Sequence, residues 1–215
     1  MLAGAYEAQF RVPGKVDLKA DNSARILRID SQRIEPELLV RATPALSAIA
    51  FLEARFVNKG DTPILPGIVN LHRDGTYAGR GRFRLVAPGD KAALGFGADD
   101  SVRVKRTPVS RKQSGPGWIG NNRSQVQDFK TIVTNLHPFV VKVRILDRLP
   151  ISEDDKIVVT PRPTNTTASE KNVDGRRGVL AFVFDLKPKA KKEIRLGWQV
   201  QWPEGKRIRP RNLPN

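Results

Sequence analysis

Glu53-Ala54-Arg55-Phe56-Val57-Asn58, followed by Lys59-Gly60-Asp61, and Thr131-Ile132-Val133-Thr134-Asn135, followed by Leu136-His137-Pro138, are two copies of one local grammar. Each is a strand-like run that ends in Asn and enters a turn. Each is followed, after further strand-like sequence, by a Pro-marked turn that leads into a late apolar strand. In the first copy this is Ala87-Pro88-Gly89-Asp90 into Ala93-Leu94-Gly95-Phe96; in the second it is Lys187-Pro188-Lys189-Ala190 into Ile194 to Trp202. Short antiparallel strands stacked into a sandwich need this order of strand, turn, partner strand and late hairpin. The chain therefore reads as all-β: two antiparallel β-sandwich units of immunoglobulin-like type, joined by a long Gly-rich loop.

Outward from these runs, period two dominates. Ile194, Leu196, Trp198, Val200 and Trp202 alternate with Arg195, Gly197, Gln199 and Gln201, which places five large apolar side chains on one strand face. Val141, Val143 and Ile145 alternate with Lys142 and Arg144; Phe83 and Leu85 with Arg82 and Arg84; Val102 and Val104 with Arg103 and Lys105. This is the pattern of half-buried antiparallel strands, not of a parallel sheet. No stretch sustains the spacing of a long amphipathic helix. Val133, Val143, Ile145, Leu196 and Trp198 are the expected core of the second unit.

Turn chemistry marks Pro13-Gly14, Lys59-Gly60-Asp61, Pro66-Gly67, Asp74-Gly75, Pro88-Gly89 and Asp174-Gly175. The longest irregular stretch, Pro108 to Arg123, falls between the two copies. The expected organisation is a first β unit over 1–107, a flexible basic loop over 108–123, a second unit over 124–203 and a basic tail over 204–215.

With 215 residues the chain can bury a sizeable core, and its 16 Pro and 17 Gly suit many turns. Cysteine is absent, which excludes disulfide staples, thiolate catalysis and Cys-ligated metal. Cytosol and periplasm are both compatible with that. No apolar run approaches the ~20 residues of a membrane helix, and the first residues lack the zones of a signal peptide. Strand-like sequence already at Gln9-Phe10-Arg11-Val12 reads as a piece of a longer protein.

A longer series of motifs carries a resemblance. Leu65-Pro66-Gly67, Leu71-His72-Arg73-Asp74-Gly75, Gly79-Arg80-Gly81, Ala87-Pro88-Gly89, Leu94-Gly95-Phe96-Gly97-Ala98-Asp99-Asp100, Thr134-Asn135-Leu136-His137, Leu146-Asp147-Arg148-Leu149-Pro150, Ser152-Glu153-Asp154-Asp155 and Asp174-Gly175-Arg176-Arg177-Gly178-Val179-Leu180 follow in order. Together, to about Trp202, they resemble the C-terminal domain of the mucoidy inhibitor A family, a bacterial domain of unknown function. The resemblance implies a parent chain with an N-terminal β domain and a coiled coil, often behind a signal sequence, and hence a periplasmic or envelope setting. It also implies a link to exopolysaccharide control. It brings no catalytic or ligand residues.

The residues that could carry chemistry read mostly as turns. His72-Arg73-Asp74 spells the catalytic triplet of protein kinases, but the following Asn and a Gly-rich loop are missing, so it is a strand end feeding an Asp-Gly turn. Asp99-Asp100 and Glu153-Asp154-Asp155 could hold a hard cation only if folding brought them together. The expectation is no catalytic residue, no metal and no cofactor.

Charge is the signal with a physical handle. The 38 Lys and Arg against 22 Asp and Glu give +16, a field that attracts polyanions. The candidate surface is Arg82, Arg84, Arg103, Lys105, Lys142 and Arg144 on strand faces, with Arg106, Arg111, Lys112, Trp118 and Arg123 in the linking stretch. Three functions follow. The first is a non-enzymatic interaction module of an envelope protein, meeting acidic polysaccharide, lipid headgroups or a protein partner. The second is a nucleic-acid-binding module using the basic surface. The third is a carboxylate-based hydrolase in a cleft between the units. The first is preferred on the sandwich grammar and the envelope-associated resemblance. The second lacks RNA-recognition, helix-turn-helix or zinc signatures, and the aromatics mostly fall on the apolar faces, which favours strand charge that serves solubility. Far-UV circular dichroism tests the fold class: a strand spectrum is expected, and substantial helix would refute it.

Overall fold

Runs of alternating Val, Ile and charged residues, cut by Asp-Gly, Pro-Gly and Asn turns, leave the backbone no option but strand pairing. The computed structural model describes residues 14–16, 26–114 and 122–206, together with the backbone of two short strands; of residues 111–114 and 122 it describes strand backbone only. Among the described residues the chain is all-β, its helical content being one 3-10 turn at Val173–Gly175. No helix among them is long and apolar enough to cross a membrane.

In chain order the strands are β1 (Leu2–Ala3), β2 (Ala8–Gln9), β3 (Glu37–Ala42), β4 (Ala50–Val57), β5 (Gly67–Arg73), β6 (Thr76–Phe83), β7 (Lys91–Ala98), β8 (Val102–Ser114), β9 (Asn122–Asn135), β10 (Val141–Arg148), β11 (Val158–Pro161), β12 (Glu170–Lys171), β13 (Val179–Leu186) and β14 (Lys191–Pro203). They form a six-stranded sheet in the order β12-β13-β10-β3-β4-β7, a four-stranded sheet in the order β11-β14-β9-β8, and the two hairpins β1-β2 and β5-β6. The pairs β1-β2, β5-β6, β8-β9, β9-β14, β11-β14, β10-β13 and β12-β13 are antiparallel, and β10 runs parallel to β3, Val143 lying opposite Val40.

The chain divides into two compact units, and each is discontinuous: residues 1–37 with 54–96, and residues 38–53 with 97–215. The chain passes from one to the other three times, at the start of β3, inside β4 and inside β7. The sequence expectation cut the chain instead at a loop over 108–123. Strand β8 in fact continues to Ser114 and β9 begins at Asn122, the pair staying in register to Ser114 opposite Ser124 with one bulge near Pro108. Residues 115–121, Trp118 among them, and the tail beyond Lys206 lie outside the described residues.

The core of the second unit draws on both of its large sheets. Val143 and Ile145 of β10 and Phe182 of β13 meet Val104 of β8, Val133 of β9 and Leu196 of β14, all buried. The expected core residues are there, with one adjustment: Trp198 is half-buried and packs against the cluster's edge. In the first unit Leu71, Val86 and Ala54 are buried, and Gly81 is closely approached, a Cβ there standing 3.3 Å from Leu71 and Val69 side-chain carbons. His72-Arg73-Asp74 ends β5, and Asp74 and Gly75 turn the hairpin with φ of 49° and 77°, the double positive φ that a tight hairpin requires.

The repeated grammar corresponds to a repeated lock. In the first unit the amide of Asn58 donates to the carbonyls of Thr62 and Val86 and accepts from the Gly60 N–H, while its backbone N–H donates to Asp90. In the second, the amide of Asn135 donates to Phe139, Leu186 and Lys187 and accepts from the His137 N–H, while its backbone N–H donates to Ala190. Both side chains are essentially inaccessible, at 1% and 0%. Each Asn thus ties the end of its strand to the following turn and to the late Pro hairpin.

Two substitutions probe this lock. Asn135→Ala strands several buried carbonyls and should cost about 3 kcal/mol, read by urea unfolding through Trp fluorescence. Lys189 occupies the left-handed position (φ 58°) that Gly89 fills in the other hairpin (φ 83°), so Lys189→Gly should stabilise by about 1 kcal/mol. A loss on that change would refute the equivalence of the hairpins.

Candidate functional site

The register of β8, β9 and β14 builds a regular charged face. Their inward positions feed the core, so the alternate positions point the other way. Three rows across the strands result: Arg103, Thr134 and Lys191; Lys105, Ile132 and Glu193; Thr107, Lys130 and Arg195. Neighbouring strands lie about 4.8 Å apart and successive rows about 6.7 Å. Five cations and one carboxylate therefore occupy a patch of side-chain dimensions.

That carboxylate is already engaged. Glu193 accepts from Arg195 Nε at 2.7 Å and lies 4.0 Å from Lys130 Nζ, and Arg195 holds its carboxyl below the ordinary value. Arg103, Lys105 and Lys191 are exposed and enter no ion pair among the described residues. The same face carries no aromatic ring in these rows. Phe129 and Trp198 point to the interior and pack with centroids 5.3 Å apart.

The candidate residues read from the sequence are distributed over three sheets rather than one. Arg82 is exposed on β6 of the first unit and Arg84 just beyond it. Arg103 and Lys105 lie on the face described above. Arg111 and Lys112 lie on the β8 backbone opposite Gln127 and Val126, their side chains being outside the described residues, as is Trp118. Arg123 is exposed on β9 with Glu204 at 3.5 Å. Lys142 is half-buried on β10 opposite Asp185.

Arg144 corrects the expectation of a solvent-facing cation. It is 8% exposed, and its two terminal nitrogens grip the two oxygens of Glu170 at 2.5 and 2.8 Å, which holds the guanidinium charged against the effect of burial. On the same side of that sheet Arg41 pairs with Glu53 at 3.0 Å. These are structural pairs of the six-stranded sheet. Sequence alternation could not separate them from Arg103 and Lys105, because β10 is covered on both faces.

Arg106, expected on the cationic surface, is a second correction: it turns inward on β8. Arg106 Nε meets Asp147 at 3.2 Å with both side chains largely buried, and its guanidinium sits 3.6 Å from the Phe129 ring centroid. Burial raises the Asp147 carboxyl above its ordinary value, with Arg106 pulling the other way. The residues that sequence reading missed on the cationic face are Lys130, Lys191 and Arg195. The alternation along β14 already held the signal for Arg195, which there faces away from the apolar side chains.

The acidic clusters do not converge. Asp99 accepts from His137 Nε2 at 2.9 Å and from the Ser101 N–H at 3.1 Å, fixing the turn after β9, and Asp154 pairs with Lys206. Among the described residues no group of three or more His, Asp or Glu is placed to hold a metal.

A family profile described as Domain of unknown function (DUF4139) matches residues 3–204. A Caenorhabditis elegans protein, Protein F37C4.5, is 26% identical over 213 residues, which make up 95% of this chain and 38% of that relative. The chain thus spans well under half the length of the curated relative it matches. No solved structure matches.

The two kinds of cation have opposite expected costs. Arg103→Glu and Lys105→Glu should each change stability by no more than about 0.5 kcal/mol. Arg106→Ala, which leaves Asp147 buried without its partner, should cost about 3–5 kcal/mol. Removing Arg106 raises the Asp147 carboxyl further, so the folded variant binds a proton more tightly than the unfolded chain. Its deficit should therefore shrink as pH falls from 7 through that titration; a pH-independent deficit in thermal unfolding would refute the burial argument.

Proposed function

The chain belongs to the family described as Domain of unknown function (DUF4139), and on that premise we propose that it is a non-enzymatic binding module whose cationic β8-β9-β14 face holds a linear acidic polysaccharide. One observation carries the reading: five basic side chains against a single, already paired carboxylate, set by strand register into rows at fixed spacing. Rows of cations anchored at a fixed strand register suit a repeating polyanion, because the backbone positions that carry the charges need not rearrange on binding. The absence of rings among these nine positions disfavours single-stranded nucleic acid, which uses stacked aromatics beside cations.

The resemblance to the C-terminal domain of the mucoidy inhibitor A family supports an envelope setting and an acidic exopolysaccharide as the polymer. A similar protein in a nematode argues for stating the ligand as a chemical class, a uronate- or sulfate-bearing chain. The second unit is read as an immunoglobulin-like sandwich, supported by two sheets that share one core.

The test is binding to a polyuronate and to single-stranded DNA over a salt series. Polyuronate affinity should fall steeply with salt, since exposed charges are screened within about 10 Å at 0.1 M. The combined variant Arg103→Glu, Lys105→Glu, Lys130→Glu and Arg195→Glu should weaken it at least about tenfold at low salt with the fold intact. Tighter binding to DNA would favour the nucleic-acid reading. Unchanged polyuronate binding in the variant would make the face a solubility device.

A further inference from the structure

In the first unit, the segment from Ile29 to Pro36 forms no strand and borders a cavity of about 480 Å³. The opposite wall is apolar: Phe56, Phe83 and Phe96 with Ile64 and Leu94, Phe56 meeting Phe83 edge to face at 6.0 Å. This volume lies within the range of small-molecule sites, which typically combine apolar walls with a few polar groups. The polar side chains on its lining are Asp30, Gln32 and Thr62.

Among the described residues that line it, Asp30 carries the only formal charge. Its oxygens accept from the Ser31 N–H at 2.7 Å and from the Gln32 amide at 3.2 Å, and no cation among the described residues pairs with it, although the chain carries +16. Aromatic ring faces also attract cations and repel anions. The carboxylate and the three rings therefore select the same charge. The site is separate from the cationic face and independent of its function.

We propose that this cavity binds a small apolar amine, its hydrocarbon among Phe56, Phe83, Phe96 and Leu94 and its ammonium against the Asp30 carboxylate. The bound cation would take up a lining charge that the basic residues among the described ones leave unmatched.

Three probes that share one hydrocarbon and differ in head group decide the matter: phenylbutylamine, phenylbutanol and phenylbutanoate, titrated calorimetrically and by the amide NMR shifts of Ala54, Ile64 and Leu94. The amine should bind about fivefold more tightly than the alcohol, the order of an exposed ion pair. The carboxylate should bind least, against the pull of the net charge. Asp30→Asn should bring the amine to the alcohol's affinity and leave the alcohol unchanged. Leu65→Trp, at a lining position that is 49% exposed and tolerant of bulk, should block all three while circular dichroism confirms the fold. Tightest binding by the carboxylate, an amine preference that survives Asp30→Asn, binding undiminished in Leu65→Trp, or no shift with any probe would each overturn the proposal.

Discussion

A buried backbone carbonyl without a donor is expensive, and each unit has several of them at one place, where a strand end, a turn and a late hairpin meet. An asparagine amide solves this in both units. It offers two N–H donors and one oxygen acceptor on a short, stiff stem, so a single side chain can serve carbonyls from two separate segments and a turn N–H as well. Aspartate has the shape without the donors, and glutamine is a methylene too long for the same geometry. Because Asn58 and Asn135 fix where the late hairpin sits, they also fix the register of the strand that follows. A one-residue slip in β14 would turn Ile194 and Leu196 outward and Arg195 into the core. Core and cationic face thus depend on the same lock.

The basic residues show how layering sorts chemically similar side chains. Arg103 and Lys105 alternate with core valines on an edge strand and stay in water. Arg144 alternates in the same way, but its strand lies inside the larger sheet and is covered on both faces, so it takes a bidentate carboxylate. Arg106 faces inward on the same strand as Arg103 and is tolerated because Asp147 and the Phe129 ring replace its hydration. Net charge attracts a polyanion at long range, but only the outward-facing set can hold one.

The two units use their repeated framework differently. The second closes a full core between its sheets and presents charge outside. The first leaves three phenylalanines around an open space bordered by an unpaired segment. A shared turn lock with different strand content is an economical way to obtain two distinct surfaces from one pattern.

The sequence by itself determined the all-β class, the Asp74-Gly75 hairpin, most of the second core and the repeated order of a strand ending in Asn, a turn and a late Pro-marked hairpin. All of these are local: period-two alternation and turn chemistry act over a few residues. It did not determine the discontinuous units, which depend on pairings between distant segments, or the extension of β8 and β9 into the stretch read as a loop, where the hairpin is prolonged because β9 is also paired along its length with the distant β14. Nor did it separate Arg103 from Arg144, or assemble Lys130, Lys191 and Arg195 beside Lys105. Only the tertiary structure decided those, since exposure depends on which strands become neighbours and which sheet face is covered, and neither is written in the spacing of one strand.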